Sequence, residues 1–424
     1  MIRILLVVFV LSIASFAEEG MWRLDQLQLL NLEQAGLEIP AHEIWNPEDG
    51  GLSKAVVSLG GCTASFVSEN GLILTNHHCA YGALQRNSSA ENNVLENGFV
   101  AQSYQDELPS RGTHVYVLES FRDVTDQVLT DVTEDMDGKE RQEHINRNKN
   151  RLIKQVTELN PDHDAYIAEM YSGASYMMFI SFEIKDVRIV YAPPKDIGKF
   201  GGDIDNFEWP RHTGDFALLR AYVDPEGGAA PPLDENIPYK PEKWLKISTS
   251  GYKPGDFSMV LGYPGRTYRY RTSYSIDYLQ SFYYPWRIDL FESILDLIEK
   301  RSQESDTAAV KLASLESSIN NSLKNARGQV DGFNRTNLLQ KKREQEKQFI
   351  NKVSAAPDRH DFVQILPAIQ TEYEDYRKIG PKLLWYRYIS YLSQAMDAAR
   401  TIYMWSEEKT KPEEERDQYP QVEI

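Results

Sequence analysis

The sequence predicts a β-rich first half built around one hairpin, followed by an all-helical second half. Three observations carry that expectation. Up to about Ser275, short runs of β-branched and aromatic residues alternate with Gly, Pro and Asn punctuation. The stretch GGCTASFVSENGLILTNHHCAY, Gly60 to Tyr81, reads as two strands about a Ser68-Glu69-Asn70-Gly71 turn. After Ser275, apolar residues recur at helical spacing, beginning with Ile288, Phe291, Leu295 and Ile298.

Composition sets the outer bounds. A chain of 424 residues, 41% of them hydrophobic, can fill two sizeable domains. Its 46 basic and 63 acidic residues give a net charge of −17, which argues against a nucleic-acid partner, since that would need a basic face. Residues 1–17, MIRILLVVFVLSIASFA, have Arg3 ahead of an apolar run and end on small residues, the pattern of a secretory signal peptide cleaved after Ala17. The expected location is therefore exported, periplasmic or cell-surface. The run is shorter than the roughly 20 residues of a membrane span, and no later segment is apolar enough to cross a bilayer.

Taken in order, Leu24, Leu27, Leu29, Leu30 and Leu32 predict an amphipathic helix ending before Pro40. The hairpin follows, its first strand Cys62–Val67 and its second Leu72–Thr75, which delivers Asn76-His77-His78-Cys79 at its end. Thr113–Leu118 reads as a strand, and the charged, proline-poor run from Val124 to about Leu159 as one or two exposed helices. Tyr176–Ile184 and Val187–Ala192 are further strands. The stretch Phe200 to Tyr222, FGGDIDNFEWPRHTGDFALLRAY, opens on a Gly-Gly turn and closes with Asp215 at the mouth of the apolar strand Phe216–Tyr222. Leu245–Ile247, Phe257–Leu261 and Thr267–Tyr270 are expected to finish the β-rich half. Runs at 312–323, 339–353, 362–376 and 383–402 continue the helical pattern, with their tyrosines and tryptophans read as bundle core. The expected division is 18–275 and 276–424.

The chemistry concentrates in two places. An imidazole held at a strand end is what a general base requires, because its ring must stay within hydrogen-bond reach of a nucleophile. The chain has only two cysteines; hairpin pairing brings Cys62 and Cys79 within bridging reach, and an oxidising compartment favours the disulfide. The loop is short, so the bridge contributes about 3 kcal/mol and positions more than it stabilises. Asp215, at a strand start, reads either as an orienter for an imidazole or as a turn acid or helix cap. A zinc site would need three or four ligands; no HExxH or second Cys/His pair appears, and His114, His144, His163 and His212 are scattered. No metal and no cofactor are expected.

A small-residue strand with Cys, a turn, an apolar strand ending Thr-x-His-His-Cys, and later Gly-Asp-Phe-Ala-Leu-Leu resemble the His and Asp parts of a chymotrypsin-like serine peptidase. By that match the base is His78 and its orienting carboxylate Asp215; Asp203 and Asp205 do not precede the apolar strand and fit less well. The start EEGMW, the block TNHHCAYGALQ and the Phe200–Tyr222 loop narrow the resemblance to the bacterial dipeptidyl-peptidase 7 and dipeptidyl-peptidase 11 family, over about Gly20 to the chain end. The resemblance implies the first chymotrypsin-like β-barrel, with helical insertions, followed by an all-α cap domain that in the family sits between two barrels. It implies an exported serine-type enzyme that releases dipeptides from the free N-terminus of oligopeptides, working as a homodimer. It also implies that Asn206 and Phe207, and Asn321 of the helical domain, hold the substrate's α-ammonium; Phe207 stands where the family usually has Trp. A charged ammonium taken from water needs acceptors in fixed positions.

One departure accompanies the match. The family's nucleophile lies in a Gly-Asn-Ser-Gly-type motif in a second barrel, and no Ser here has a GxSG context: Ser172-Gly173 and Ser250-Gly251 lack the preceding glycine. The expectation is a dipeptidyl peptidase cut short before its nucleophilic serine and second barrel. The alternative is a catalytically incomplete protein that binds peptide N-termini. Which residue precedes the scissile bond is not readable from this half.

Overall fold

A computed structural model of the chain describes residues 20–89, 91–205, 208–265, 268, 270–412 and 416. The expected signal peptide at 1–17, Asn206, Phe207 and Thr267 lie outside the described residues. The chain forms two compact units. One comprises the residues up to Gly198 together with Asp215–Gly265; the other comprises Lys199–Gly214 and the chain beyond Gly265.

The first unit is organised on an eleven-stranded antiparallel sheet. Its strands are β1 (Val56–Ser58), β2 (Thr63–Phe66), β3 (Leu72–Thr75), β4 (Phe99–Val100), β5 (Leu108–Pro109), β6 (Val115–Asp123), β7 (His163–Met170), β8 (Ser175–Ile184), β9 (Asp186–Ala192), β10 (Ala217–Val223) and β11 (Ile237–Pro238). The main path runs β4-β9-β10-β3-β2-β1-β6-β8-β7, with β5 on β9 and β11 on β10. The β2–β3 hairpin forms as its pattern predicts, pairing Ser65 with Leu74 and Phe66 with Ile73. Ser68 Oγ accepts from Asn70 N and Leu72 N, both at 3.2 Å, so the side chain stands in for a backbone turn. Gly71 has φ +68°, and a Cβ there would lie 2.8 Å from Tyr239 O and 2.9 Å from Ala221 O; only glycine fits.

Alternation builds the core. Ala64, Phe66 and Ile73 point inward with Val57, Val115, Ile189, Leu219 and Leu84, each burial contributing about 1.5–3 kcal/mol for the larger side chains. A second cluster forms where the helix Gly138–Leu159 lays Ile145 and Leu152 against Ile167, Tyr176 and Met178 of β7 and β8. That helix is started by Asp137, whose carboxylate accepts from Lys139 N and Glu140 N.

The second unit is helical: Ser273–Tyr278, Tyr284–Glu304, Asp306–Thr336, Leu338–Ser354, Ile365–Leu392 and Gln394–Thr410. Phe291, Ile319, Leu323, Leu384 and Tyr388 form its core. The run expected at 383–402 divides at Ser393, which leaves the helical region and caps Met396 N at 3.3 Å. Among the described residues no helix is long and apolar enough to cross a membrane.

Several expectations change. The helix predicted over Leu24–Leu32 is a 3₁₀ segment, Leu24–Leu29, and a single turn, Leu32–Ala35. Leu30 is extended, and Asn31 caps Gln34 N at 3.2 Å, so a new helix begins where the old one was expected to continue. The strands expected at Leu245–Ile247 and Phe257–Leu261, and the described part of Thr267–Tyr270, are not strands. Leu245 N reaches Phe66 O at 2.8 Å, but among the described residues no neighbour supplies the further rungs of a ladder. β7 is a strand for which the sequence carried no expectation; Ala165 and Ile167 are buried on alternate positions beside exposed Tyr166.

Candidate active site

The site is set by register. β10 pairs with β3 so that Ala217 faces Thr75 and Leu219 faces Ile73. Two residues back from Ala217 lies Asp215, and two residues on from Thr75 lies His77, so the pairing carries Asp215 to the end of the hairpin. There the backbone turns from strand into the helix His77–Arg86.

The sequence expectation placed the histidines at a strand end; the structure adds that they open a helix. Its cap, Asn76, makes no side-chain cap bond to the helix. Instead Asp215 reaches across 137 residues of sequence, its Oδ1 accepting His78 N at 3.0 Å. A carboxylate suits this place, since the first N–H groups of a helix lack partners and carry the positive end of its dipole. Asp215 therefore caps the helix and also meets the ring. Oδ2 lies 2.7 Å from His78 Nδ1. A carboxylate only accepts, so Nδ1 carries the hydrogen and Nε2 is left with its lone pair. Asn76 Nδ2 donates to Asp215 O at 3.0 Å and Oδ2 at 3.3 Å, holding the carboxylate from the other side. The Asp215 side chain is 12% exposed and that of His78 67% exposed: the carboxylate is sheltered and the imidazole is open to solvent.

The expected disulfide is present. Cys62 and Cys79 are bonded, with Cα atoms 6.2 Å apart, tying the residue before β2 to the first turn of the helix. Thr75 Oγ1 also donates to Thr63 O at 3.1 Å. Cys62, His78 and Cys79 are the one grouping of ligand-type atoms among the described residues, but the two sulfurs are joined to each other and offer no thiolate.

His77 differs in every respect from its neighbour. It is 1% exposed, its Nε2 has no hydrogen-bond partner, and its ring meets Tyr81 edge-on. Burial pushes its imidazole below the ordinary value, with Asp215 opposing and His78 reinforcing the shift.

The remaining predicted site residues belong to the second unit. Asn321 is exposed on the helix Asp306–Thr336, one turn before Lys324. Lys324 Nζ donates to Ile204 O at 2.5 Å and pairs with Glu208 at 3.0 Å, fastening that helix face to residues on either side of Asn206 and Phe207. Sequence reasoning missed Asn76 and Lys324. The Asn before His-His-Cys was a visible signal for the first; nothing local marked the second.

The chain thus places a histidine–aspartate pair on an antiparallel sheet, clamped by a disulfide, and the peptidase S46 family profile matches residues 17–423. The chain belongs to that family. It is 36% identical to dipeptidyl-peptidase 7 of Capnocytophaga gingivalis over 84% of this chain and 50% of the relative. It is also 36% identical to the Asp/Glu-specific dipeptidyl-peptidase of Shewanella putrefaciens, over 95% of this chain and 54% of the relative. Among solved structures it resembles Porphyromonas endodontalis DPP11 in complex with the dipeptide Arg-Asp, with a TM-score of 0.79 and 31% identity over 86% of this chain and 53% of that one. The chain spans about half the length of these relatives.

Proposed function

We propose that this chain is the base-bearing half of a serine-type dipeptidyl peptidase acting on oligopeptides with an unblocked N-terminus. The observation that carries the reading is the His78–Asp215 pair, with Nδ1 held at 2.7 Å and the opposite ring nitrogen open. In the proposed reaction His78 Nε2 takes the proton of a serine hydroxyl as the oxygen attacks the peptide carbonyl, then returns it to the leaving amine. Asp215 keeps the tautomer and faces the imidazolium that forms. Two positions from the scissile bond, the substrate's α-ammonium is held by Asn206, Phe207 and Asn321. The serine and its oxyanion hole are assigned to the half of the relatives that this chain does not span.

This is an exported protein in the same reading, with the hairpin sheet as the first of two barrels and a homodimer as the assembly. Support comes from family membership, from relatives named for dipeptidyl-peptidase activity, and from a neighbour solved with a dipeptide. The test compares release of dipeptides from unblocked peptide–coumarin substrates by the 424-residue chain and by a version extended through any downstream reading frame. Release only by the extended version supports the reading. Release by neither, with unblocked peptides still bound, favours the peptide-binding alternative; release by the 424-residue chain alone refutes the assignment of the serine.

A further inference from the structure

The segment Lys199–Gly214 leaves the first unit after Gly198 and returns to it at Asp215. Both feet meet a histidine of the same dipeptide. At the return, Asp215 is held by His78. At the exit, Gly198 is buried against His77: a Cβ on Gly198 would fall 2.4 Å from His77 Cγ and 2.5 Å from Cδ2. No other residue type fits beneath the ring without displacing it. The short turn that ends in Gly198, Lys195–Gly198, is itself fastened by Lys195 Nζ to Glu96 at 2.6 Å. Within the second unit, the segment's limbs are joined where Thr213 Oγ1 donates to Phe200 O at 2.9 Å.

We propose that His77 is a positioning residue: its buried ring, seated on Gly198, fixes the exit of the Lys199–Gly214 segment as His78 fixes the return, so that the segment carrying Asn206 and Phe207 is clasped at both feet. The use of those two residues for the substrate ammonium rests on the function proposed above; the clasp itself does not. The ring must be neutral to stay, because a buried imidazolium whose Nε2 has no acceptor is costly. The charged and titratable groups that bear on it are Asp215 and His78, with Tyr81 at its edge. On the packed turn there are Lys195, paired with Glu96, and Asp196; on the adjacent β9, Asp186 and Arg188 pair with each other.

Hydrogen exchange on the whole 424-residue chain, with binding of an unblocked dipeptide and its N-acetylated counterpart, tests this. His77→Ala and Gly198→Ala, made separately, are expected to speed exchange across 199–214 at least ten-fold while β2 and β3 keep their protection. In the unsubstituted chain, protection there, taken as the exchange rate relative to the intrinsic chemical rate at each pH, falls as pH drops from 7 to 5.5; in His77→Ala it shows no such fall. Affinity for the unblocked dipeptide falls about ten-fold in both variants. Unchanged exchange in 199–214 overturns the proposal, as does global unfolding of both variants, which would make the contact general core packing. Faster exchange in a chain that binds no dipeptide even unsubstituted would leave the clasp standing and remove the function proposed for the segment.

Discussion

His78 and His77 show how one residue step separates an open, carboxylate-bound imidazole from a buried one. His78 is exposed and hydrogen-bonded to a carboxylate; His77 is buried without a partner for Nε2. Asp215→Asn in a chain that carries the nucleophile is expected to lower kcat about 10⁴-fold, because an amide can donate to Nδ1 and select the wrong tautomer. Dipeptide release measured against pH would show it, and a loss under ten-fold would contradict the assignment. His77 contributes a stability term of definite sign. Its folded pKa lies below the unfolded value of 6.5, so on acidification the unfolded chain takes the proton first. Stability is intact above about pH 6.5 and falls as pH drops below it. The urea midpoint of the unsubstituted chain should therefore decline from pH 7 to 5.5, and His77→Phe should flatten that decline; an equal slope in both would contradict it. At this scale the sequence was informative because His78, Cys79 and Asp215 sit in long local motifs. Asn76 stood beside a visible motif, but its partner Asp215 lies more than 100 residues away in sequence; Lys324 had no local signal, and its partner Ile204 is as distant.

Secondary elements were legible wherever period and length agreed. β8, β9 and β10 fall on the predicted runs, whereas the expected strands at 245–247 and 257–261 have β-prone residues but no ladder to join. A polar network beside the sheet was invisible, because its members read as ordinary solvent-facing strand residues. Arg220 Nε donates to Glu107 at 2.9 Å, Tyr222 OH donates to the same carboxylate at 2.8 Å, and Arg220 also reaches Asn70 O. Asp186, fully buried, holds Arg188 and Asn236. Removing one member leaves a buried charge uncompensated, so Glu107→Leu is expected to cost about 3–5 kcal/mol in urea unfolding. The exposed pair Lys139–Glu143, 3.8 Å apart, should be worth about 0.5 kcal/mol or less on the same measurement. The Cys62–Cys79 bridge closes 17 residues, and its removal by a double Cys→Ala substitution should cost about 3 kcal/mol. Non-reducing peptide mapping that recovers two separate thiol peptides would contradict the bridge.

The whole molecule separates its tasks between two units. The sheet carries the His78–Asp215 pair, and the helical unit, together with the Lys199–Gly214 segment, carries the residues proposed to recognise an ammonium. That segment lies between strands in the sequence, so its grouping with the helices was not apparent from periodicity. On the proposed reading, His78 is the base and Asp215 its orienter, and the reaction requires a serine from the part of the relatives that this chain does not span. The most direct measurement is dipeptide release by the extended chain carrying His78→Ala, beside the same chain carrying His77→Ala. The account predicts that His78→Ala abolishes release, while His77→Ala keeps kcat within a few-fold and raises KM. Equal loss of kcat at both positions, or full activity without His78, would contradict it.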